Sequence, residues 1–302
     1  MANSIALAKK YVPLLDEVYK AAAKTSILDA PAGLTREAMN VNEILIPKIA
    51  LQGLGDYSKA NGFVAGDVTF AWETHTFTQD RGRRFVIDRM DDMETLDMAF
   101  ASTAGQFVRT QVVPELDAYR FATLAAAAGN SATPATLSAS DAMEAIDTGL
   151  ETMENAEVSL DGVVIFLTPA VKKYLKQSDL ISREFVTNVG SRAINRDFDT
   201  LDGIPVVTVP QGRFYTGITL YDGTTGGQEA GGYIKTATTG KDINFMIVDV
   251  DSILGVVKNA MPRVFDPDTF QDADAWAFDY RLYHDIFVPD NKVNGIYLHN
   301  KA

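Results

Sequence analysis

The chain contains no cysteine, which excludes disulfides, thiolate metal sites, iron–sulfur clusters and cysteine nucleophiles. It has only three histidines, His75, His284 and His299, which lie far apart in the sequence. A three-histidine metal site would need all of them, so we do not expect one. No apolar run reaches roughly 18 residues, the length of a membrane-spanning helix. The first residues also lack the apolar stretch of a signal peptide.

The composition is that of a globular protein with a substantial core. The 302 residues are 46% hydrophobic and 22% charged, which argues against disorder or a coiled-coil rod. Acidic residues outnumber basic ones by 40 to 27, giving a net charge of −13. Affinity for nucleic acid depends on clustered Lys and Arg, so we expect no specific nucleic-acid binding.

Catalytic and metal-binding motifs are not evident. Gly240-Lys241 is followed by an aspartate and lacks the upstream glycine of a phosphate-binding loop. His284 beside Asp285 could form half of an acid–base pair, but a single histidine on a strand is far more often structural. An acidic cluster lacks the glycine and terminal glutamate of a calcium loop, and we interpret it as a solvated loop or one facing a basic neighbour. Its members are Asp266, Asp268, Asp272 and Asp274. We therefore expect no enzymatic activity, catalytic residue, cofactor or metal.

A long hairpin is predicted near the start of the chain. Val68, Phe70 and Trp72 alternate with smaller or polar residues, which is typical of a half-buried strand. The return strand is predicted at residues 83–90, after a polar turn at residues 79–82. Because a two-stranded ribbon is marginally stable alone, we expect it to lie against another surface.

A long helix is predicted next, at residues 92–128, kinked or divided at Pro114. A shorter helix is predicted at residues 141–156. A buried strand at 163–167 leads to a helix capped by Thr168, with Pro169 at its first position. The remaining predictions are a helix at 5–24, a strand at 204–209, a glycine-rich loop or hairpin at 217–240, a strand at 243–248, a helix at 252–259, and strands at 276–288 and 296–298.

The order of these parts resembles the major capsid proteins of tailed bacteriophages, which have the Hong Kong 97-type fold. The segments that carry the resemblance are VVIFLTPAVKKYL at 163–175, LDGIPVVTVP at 201–210 and DAWAFDYRLYHDIFVPDNKVNGIYLHN at 274–300. The resemblance implies an α+β fold with five parts. They are an N-terminal arm (1–50), an extended E-loop hairpin (51–92), a P-domain spine helix (93–139), a central α/β A-domain (140–242), and a return through a P-domain ribbon and closing strand (243–302).

The resemblance also implies the function of a structural subunit of an icosahedral capsid. Copies would self-assemble into hexamers and pentamers that enclose double-stranded DNA, with E-loops overlapping adjacent subunits. Implied partners are a separate scaffolding protein, expected because only about fifty residues precede the hairpin, together with a portal and decoration proteins. The implied location is the virion capsid, assembled in the host bacterial cytoplasm.

Two features of the predicted hairpin follow from this resemblance. We hypothesise that Arg81, Arg83 and Arg84, at the predicted tip, pair with carboxylates of a neighbouring subunit, since arginine is favoured at interfaces. Some capsids of this type are joined by an isopeptide bond from an E-loop lysine. No lysine lies between Lys59 and Lys172, so we predict no such cross-link.

Two alternatives remain open at this stage. An encapsulin-like compartment shell would share the fold but package an enzyme. An α/β enzyme with an unrecognised carboxylate pair would need two acids about 5–10 Å apart, and an acidic chain offers many candidates.

Overall fold

The computed structural model describes residues 23–29, 36–37, 42–59, 62–90, 105–178 and 198–302. The predicted helix at 5–24 lies outside these residues except for its last two positions, which are not helical.

The helices are α1 (Val113–Ala127), α2 (Ala142–Asn155) and α3 (Pro169–Gln177). The strands are β1 (Arg36–Glu37), β2 (Glu43–Leu51), β3 (Val68–Thr76), β4 (Gln79–Asp88), β5 (Asn130–Ser131), β6 (Val163–Leu167), β7 (Thr200–Leu201), β8 (Ile204–Thr208), β9 (Ile218–Leu220), β10 (Tyr233–Lys235), β11 (Ile243–Asp249), β12 (Leu254–Phe265), β13 (Ala275–Phe287) and β14 (Ile296–Asn300).

A six-stranded central sheet has the order β5-β14-β11-β6-β8-β7 and is covered on both faces. The strand β6 is apolar throughout and fully buried, as expected for a strand with no solvent-facing side. Its residues Ile165 and Leu167 pack with α2 and α3, whereas Phe166 packs on the opposite face with Phe121 of α1. The predicted helix cap is confirmed, because the Thr168 hydroxyl accepts a hydrogen bond from Val171 N at 3.3 Å.

A second sheet, the flanking sheet, has the order β12-β13-β4. Phe278, Tyr280 and Leu282 of β13 lie at alternate positions and pack against Val112 and Leu116 at the start of α1. The predicted helix at 252–259 is wrong. Residues 254–259 belong to β12, which pairs antiparallel along almost the whole of β13. Its apolar positions are too few to separate a helical period from a strand period, and the long partner strand decides the outcome.

Among the described residues, β12 is an outer strand of the flanking sheet, and Asp29 forms an isolated parallel bridge with its Gly255. Its pairing with β13 shifts register between Val257 and Asn259, and it contains Pro262. Proline lacks an N–H group and is found in sheets mainly on edge strands or at bulges.

The long helix is interrupted as Pro114 predicts. Residues 91–104 lie outside the described part, and the helix before α1 contains a π-helical turn at Val108–Val112. Pro114 occupies the first turn of α1, immediately after this wider turn. Proline cannot donate a backbone hydrogen bond and its ring collides with the carbonyl four residues earlier, so a local widening accommodates it.

The predicted pairing of the early hairpin is wrong. The strand β3 pairs with β2, from Leu51↔Val68 to Glu43↔Thr76, and not with β4. The strand β4 pairs instead with β13 in the flanking sheet. The chain turns between β3 and β4 inside the molecule, because Phe77 is buried and Thr78 N donates a 2.8 Å hydrogen bond to Asp285 Oδ2. The turn at 79–82 is consequently part of β4 and is not a hairpin tip.

We refer to β2, β3 and the connecting residues 52–67 as the ribbon, and to residues 52–67 as its tip. Lys48 lies on β2 and Lys59 lies in the tip, so the expectation that the hairpin holds no lysine is wrong. The basis for predicting the absence of a lysine cross-link is thereby removed. The division of the chain into arm, E-loop, P-domain and A-domain remains a prediction.

Candidate assembly surfaces

The two faces of the ribbon differ sharply. On one face, Ile44 and Ile46 of β2 are buried in a cluster with Phe77 and Phe287. The His75 ring lies 5.2 Å from the Phe287 ring on the same face. Further out, Lys48 Nζ lies 3.2 Å from Asp290 Oδ2. The part of the ribbon nearest β4 is therefore held against the body of the chain.

The opposite face of the ribbon is apolar and exposed. The register places Ile49 opposite Phe70 and Leu51 opposite Val68. Ile49 and Phe70 are 57% and 55% exposed, and the other two are more exposed still. The strand predicted at β3 is confirmed, but the described residues do not provide the expected half-burial of Val68, Phe70 and Trp72. Contiguous apolar surface of this kind usually marks an interaction site.

The ribbon tip adds further exposed apolar side chains. Ser58 and Gly62 form an isolated antiparallel β-bridge. The adjacent Tyr57 and Phe63 rings lie together, with their centroids 4.9 Å apart. The Phe63 side chain is 89% exposed, and the Leu54 side chain is fully exposed. Sequence reasoning missed the tip and β2, although the run of apolar and β-branched residues that includes Ile44, Ile46 and Ile49 would have indicated the second strand.

The three arginines of the interface hypothesis lie on β4, and their predicted position at a hairpin tip is wrong. Arg81 donates to Glu115 Oε1 at 2.6 Å and to the Tyr221 carbonyl at 2.8 Å. Arg84 binds Asp279 through two hydrogen bonds of 2.6 and 2.8 Å, and this carboxylate raises the pKa of Arg84.

Arg83 differs from both. Its Nη2 donates to the Glu229 carbonyl at 3.0 Å, and no carboxylate of the described residues forms an ion pair with it. Side chains alternate between sheet faces, so Arg81 and Arg83 share the face towards α1 while Arg84 lies on the other. The structure thus separates the three arginines, and their contact with a neighbour stays a prediction.

The acidic cluster lies beside arginines of the same chain. Arg89 Nη1 lies 3.6 Å from Asp268 and 3.5 Å from Asp274, and Arg84 approaches Asp272 at 4.0 Å. This matches the interpretation of an acidic loop that faces basic residues. Within the described ranges, no group of His, Asp and Glu side chains is arranged to hold a metal ion.

The candidate acid–base pair does not have the geometry of a reactive site. Asp285 is buried and accepts hydrogen bonds from Thr78 and from the Tyr119 hydroxyl at 2.8 Å. Burial lowers the pKa of His284 to about 3, with repulsion from Arg120 and Arg81 adding to the effect. A histidine that is neutral down to that pH is a poor proton carrier near neutrality.

A buried polar network joins residues 25–29, in the middle of the predicted arm, to α1. Asp117 accepts hydrogen bonds from Thr25 N at 3.1 Å and Thr25 Oγ1 at 2.7 Å, and forms a 3.1 Å ion pair with Arg213. Arg120 is fully buried and donates to Thr25 O and to Asp29. Buried charges of this kind are tolerated only when paired, so the contact fixes where the chain enters the body.

Comparison with known proteins supports a capsid fold. No family model matches the sequence, and no curated protein matches it. Among solved structures, the capsid of cyanophage P-SCSP1u aligns over 92% of this chain and 94% of its own, with a TM-score of 0.60 and 12% identity. The mature capsid of bacteriophage PhiM1 aligns over 91% and 90%, with a TM-score of 0.54 and 15% identity.

A virus-like particle from Pyrococcus furiosus also aligns, over 95% of both chains, with a TM-score of 0.51 and 12% identity. None of the helices in the described ranges is long and apolar enough to span a membrane. Helices and strands both contribute to the fold, which confirms the α+β class. The sequence resemblance is therefore confirmed at the level of fold: this chain is folded like the capsid proteins of these bacteriophages.

Proposed function

We propose that this protein is the major capsid subunit of a tailed bacteriophage, forming hexamers and pentamers of an icosahedral shell around double-stranded DNA. The observation that carries the proposal is the ribbon, whose apolar outer face is exposed in a chain with the fold of capsid proteins. A subunit that completes its burial against neighbours explains this surface. Obligate interfaces bury about 2,000–5,000 Å² and are markedly apolar.

The partners and location follow from the same proposal. The subunit would meet other copies of itself, a separate scaffolding protein, a portal and decoration proteins, and it would enclose DNA without reading its sequence. It would assemble in the host bacterial cytoplasm and remain in the virion capsid. The proposed role is structural and does not involve catalysis.

The test is assembly of the purified protein, alone and with a candidate scaffold, followed by electron microscopy and sedimentation velocity. We expect closed shells or rings of five and six. The double variant Ile49→Ser/Phe70→Ser should stay folded but fail to assemble. Val86→Ser is the matched control, because Val86 is also an exposed apolar strand residue but lies outside the ribbon. A stable monomer under every condition would refute the proposal.

A compartment shell is the second candidate, favoured specifically by the likeness to the virus-like particle. The two candidates differ in cargo. Nuclease-protected DNA inside particles isolated from the native source would support the phage capsid, whereas a co-purifying enzyme without DNA would support the compartment.

A further inference from the structure

A cleft of about 650 Å³ lies between β4, the helical turn before α1, and the loop joining β9 to β10. Its lining includes three aromatic side chains, Phe85, Phe107 and Tyr280. The Phe107 ring lies edge-on to the rings of Phe85 and Tyr280, with centroid distances of 4.8 and 6.0 Å. Binding sites for small molecules commonly enclose about 300–1,000 Å³ and are lined by apolar and aromatic side chains with a few polar groups. The cleft has the size and the lining of such a site.

His284 is a buried polar group of the cleft that no hydrogen bond satisfies. The residue lines the cleft and is only 4% exposed. Its Nδ1 has no hydrogen-bond partner among the described residues, and its ring lies edge-on to the Tyr119 ring at 5.6 Å. Burial lowers the pKa of His284, so the neutral ring offers one N–H donor and one acceptor nitrogen. Leaving a buried polar atom unpaired is unfavourable, and a bound molecule that pairs with it gains affinity.

The charges around the cleft balance one another. The ionised side chains of the lining are two cations and three anions: Arg81, Arg83, Asp80, Glu115 and Asp222. Arg81 pairs with Glu115 at 2.6 Å, and Asp80 accepts a 2.8 Å hydrogen bond from Arg281, a cation outside the lining. The other two, Arg83 and Asp222, have opposite charges and are both exposed to solvent. A charge carried into the cleft would lose water without gaining an unopposed counter-charge, so an uncharged ligand is favoured.

We propose that this cleft binds an uncharged aromatic small molecule that carries one hydroxyl or amide group. The rings of the ligand pack against Phe85, Phe107 and Tyr280, because aromatic pairs gain energy beyond the area they bury. Its polar group forms a hydrogen bond with the His284 ring. The bound ligand contacts β4, the helical turn before α1 and the β9–β10 loop together, and it stabilises their arrangement. Such a site goes beyond the proposed function and does not depend on shell assembly.

The ligand class is tested with naphthalene, 2-naphthol, 2-naphthoate and 2-naphthylmethylammonium. Binding of each to the unmodified full-length protein is measured by equilibrium dialysis at neutral pH. We expect 2-naphthol to bind about fivefold more tightly than naphthalene, because its hydroxyl pairs with His284. It should bind about tenfold more tightly than either charged derivative, because their charges lose water in the cleft. Absence of saturable 2-naphthol binding, or tighter binding of a charged derivative, would overturn the proposal.

The position of the bound ligand is tested by Gln111→Trp. Gln111 is exposed and lines the cleft, so a tryptophan at this position occupies space that the ligand needs. The variant should bind 2-naphthol about tenfold more weakly than the unmodified protein. Arg109→Trp is the matched control, since Arg109 is exposed on the same helical turn but does not line the cleft. Equal affinity of the two variants would show that the ligand binds elsewhere and that the proposal is wrong.

The role of His284 is tested by His284→Phe, which keeps a planar ring and removes both nitrogens. The preference for 2-naphthol over naphthalene should disappear, whereas the affinity for naphthalene should change by less than about twofold. Thermal denaturation checks that the variant is folded. A folded variant that keeps the full preference would show that His284 does not bind the ligand, which contradicts the proposal. If the variant does not fold, the comparison of Gln111→Trp with Arg109→Trp decides the outcome.

Discussion

The ribbon and the β4–β13 pair are both long antiparallel strand pairs in which apolar residues recur at alternate positions over part of their length. In the β4–β13 pair, Phe278 and its neighbours are covered by the helix that leads into α1. In the ribbon, Ile49 and Phe70 have no such cover within the described residues, and only the opposite face reaches the body. The same sequence period therefore produces a core in one region and an exposed surface in the other. The difference is that a helix of the same chain covers the apolar face of the flanking sheet, whereas none of the described elements covers the outer face of the ribbon.

The sharpest test of this comparison exchanges one phenylalanine for alanine in each region. Phe278→Ala should lower the free energy of unfolding by about 3–5 kcal/mol, because it removes a buried aromatic ring and leaves a cavity. Phe70→Ala should change it by less than about 0.5 kcal/mol, since the ring is largely in water. Urea denaturation of the unassembled subunit measures both. Equal losses would show that the ribbon face is buried within the subunit.

The link between the two regions is tested by Asp285→Ala. This buried carboxylate binds Thr78 and Tyr119 where the chain passes from β3 to β4. Its removal breaks hydrogen bonds to a charged group at these partly buried positions, and the unfolding free energy should fall by about 1–3 kcal/mol. Hydrogen exchange should show greater opening of the 77–79 backbone than of β6. A uniform change across the chain would argue against a local role.

The covered region should also respond to acid through His284. Its pKa is lowered from 6.5 to about 3, so the unfolded chain binds a proton that the folded chain does not between those values. Stability contributed by this group is present above pH 6.5 and falls as the pH drops towards 3, by at most about 1.4 kcal/mol per pH unit. His284→Phe should flatten the stability profile in this range relative to the unmodified protein. An unchanged slope would show that carboxylates alone set the acid response.

The smallest effect is expected at the ion pair that joins the ribbon to the body. Lys48→Ala removes an exposed contact with Asp290, and the unfolding free energy should change by about 0.5 kcal/mol or less. Thermal denaturation at low and high salt measures it. A loss well above about 1 kcal/mol would mean that the ribbon orientation depends on this pair more than on the apolar cluster of Ile44 and Ile46.

Local features were predictable because their causes are local. The cap at Thr168, the proline at position 169, the buried strand β6 and the break near Pro114 depend on a few adjacent residues, and the structure confirms each. The β9–β10 hairpin was one of two alternatives left open for the glycine-rich segment, and it is the one observed.

Strand partners were not predictable, because pairing is chosen by the whole molecule. The strands β3 and β4 are adjacent in sequence and both alternate, yet each has a different partner, supplied by residues 43–51 and 275–287. The expected place of the three arginines at a hairpin tip is wrong for the same reason, whereas their contact with a neighbouring subunit stays a prediction. A period of two already places Arg84 on the opposite face from Arg81 and Arg83, but only the structure identifies Glu115 as the partner of Arg81 and Asp279 as the partner of Arg84.

The register shift and Pro262 on β12 have a consequence under the proposed function, in which the subunit meets many copies of itself. A long, regular edge strand offers backbone groups to any other strand, and pairing of that kind can continue without limit. An interrupted edge with a proline resists it. Association is thereby left to side-chain surfaces with defined shape and charge, which favours closed assemblies over fibrous aggregates.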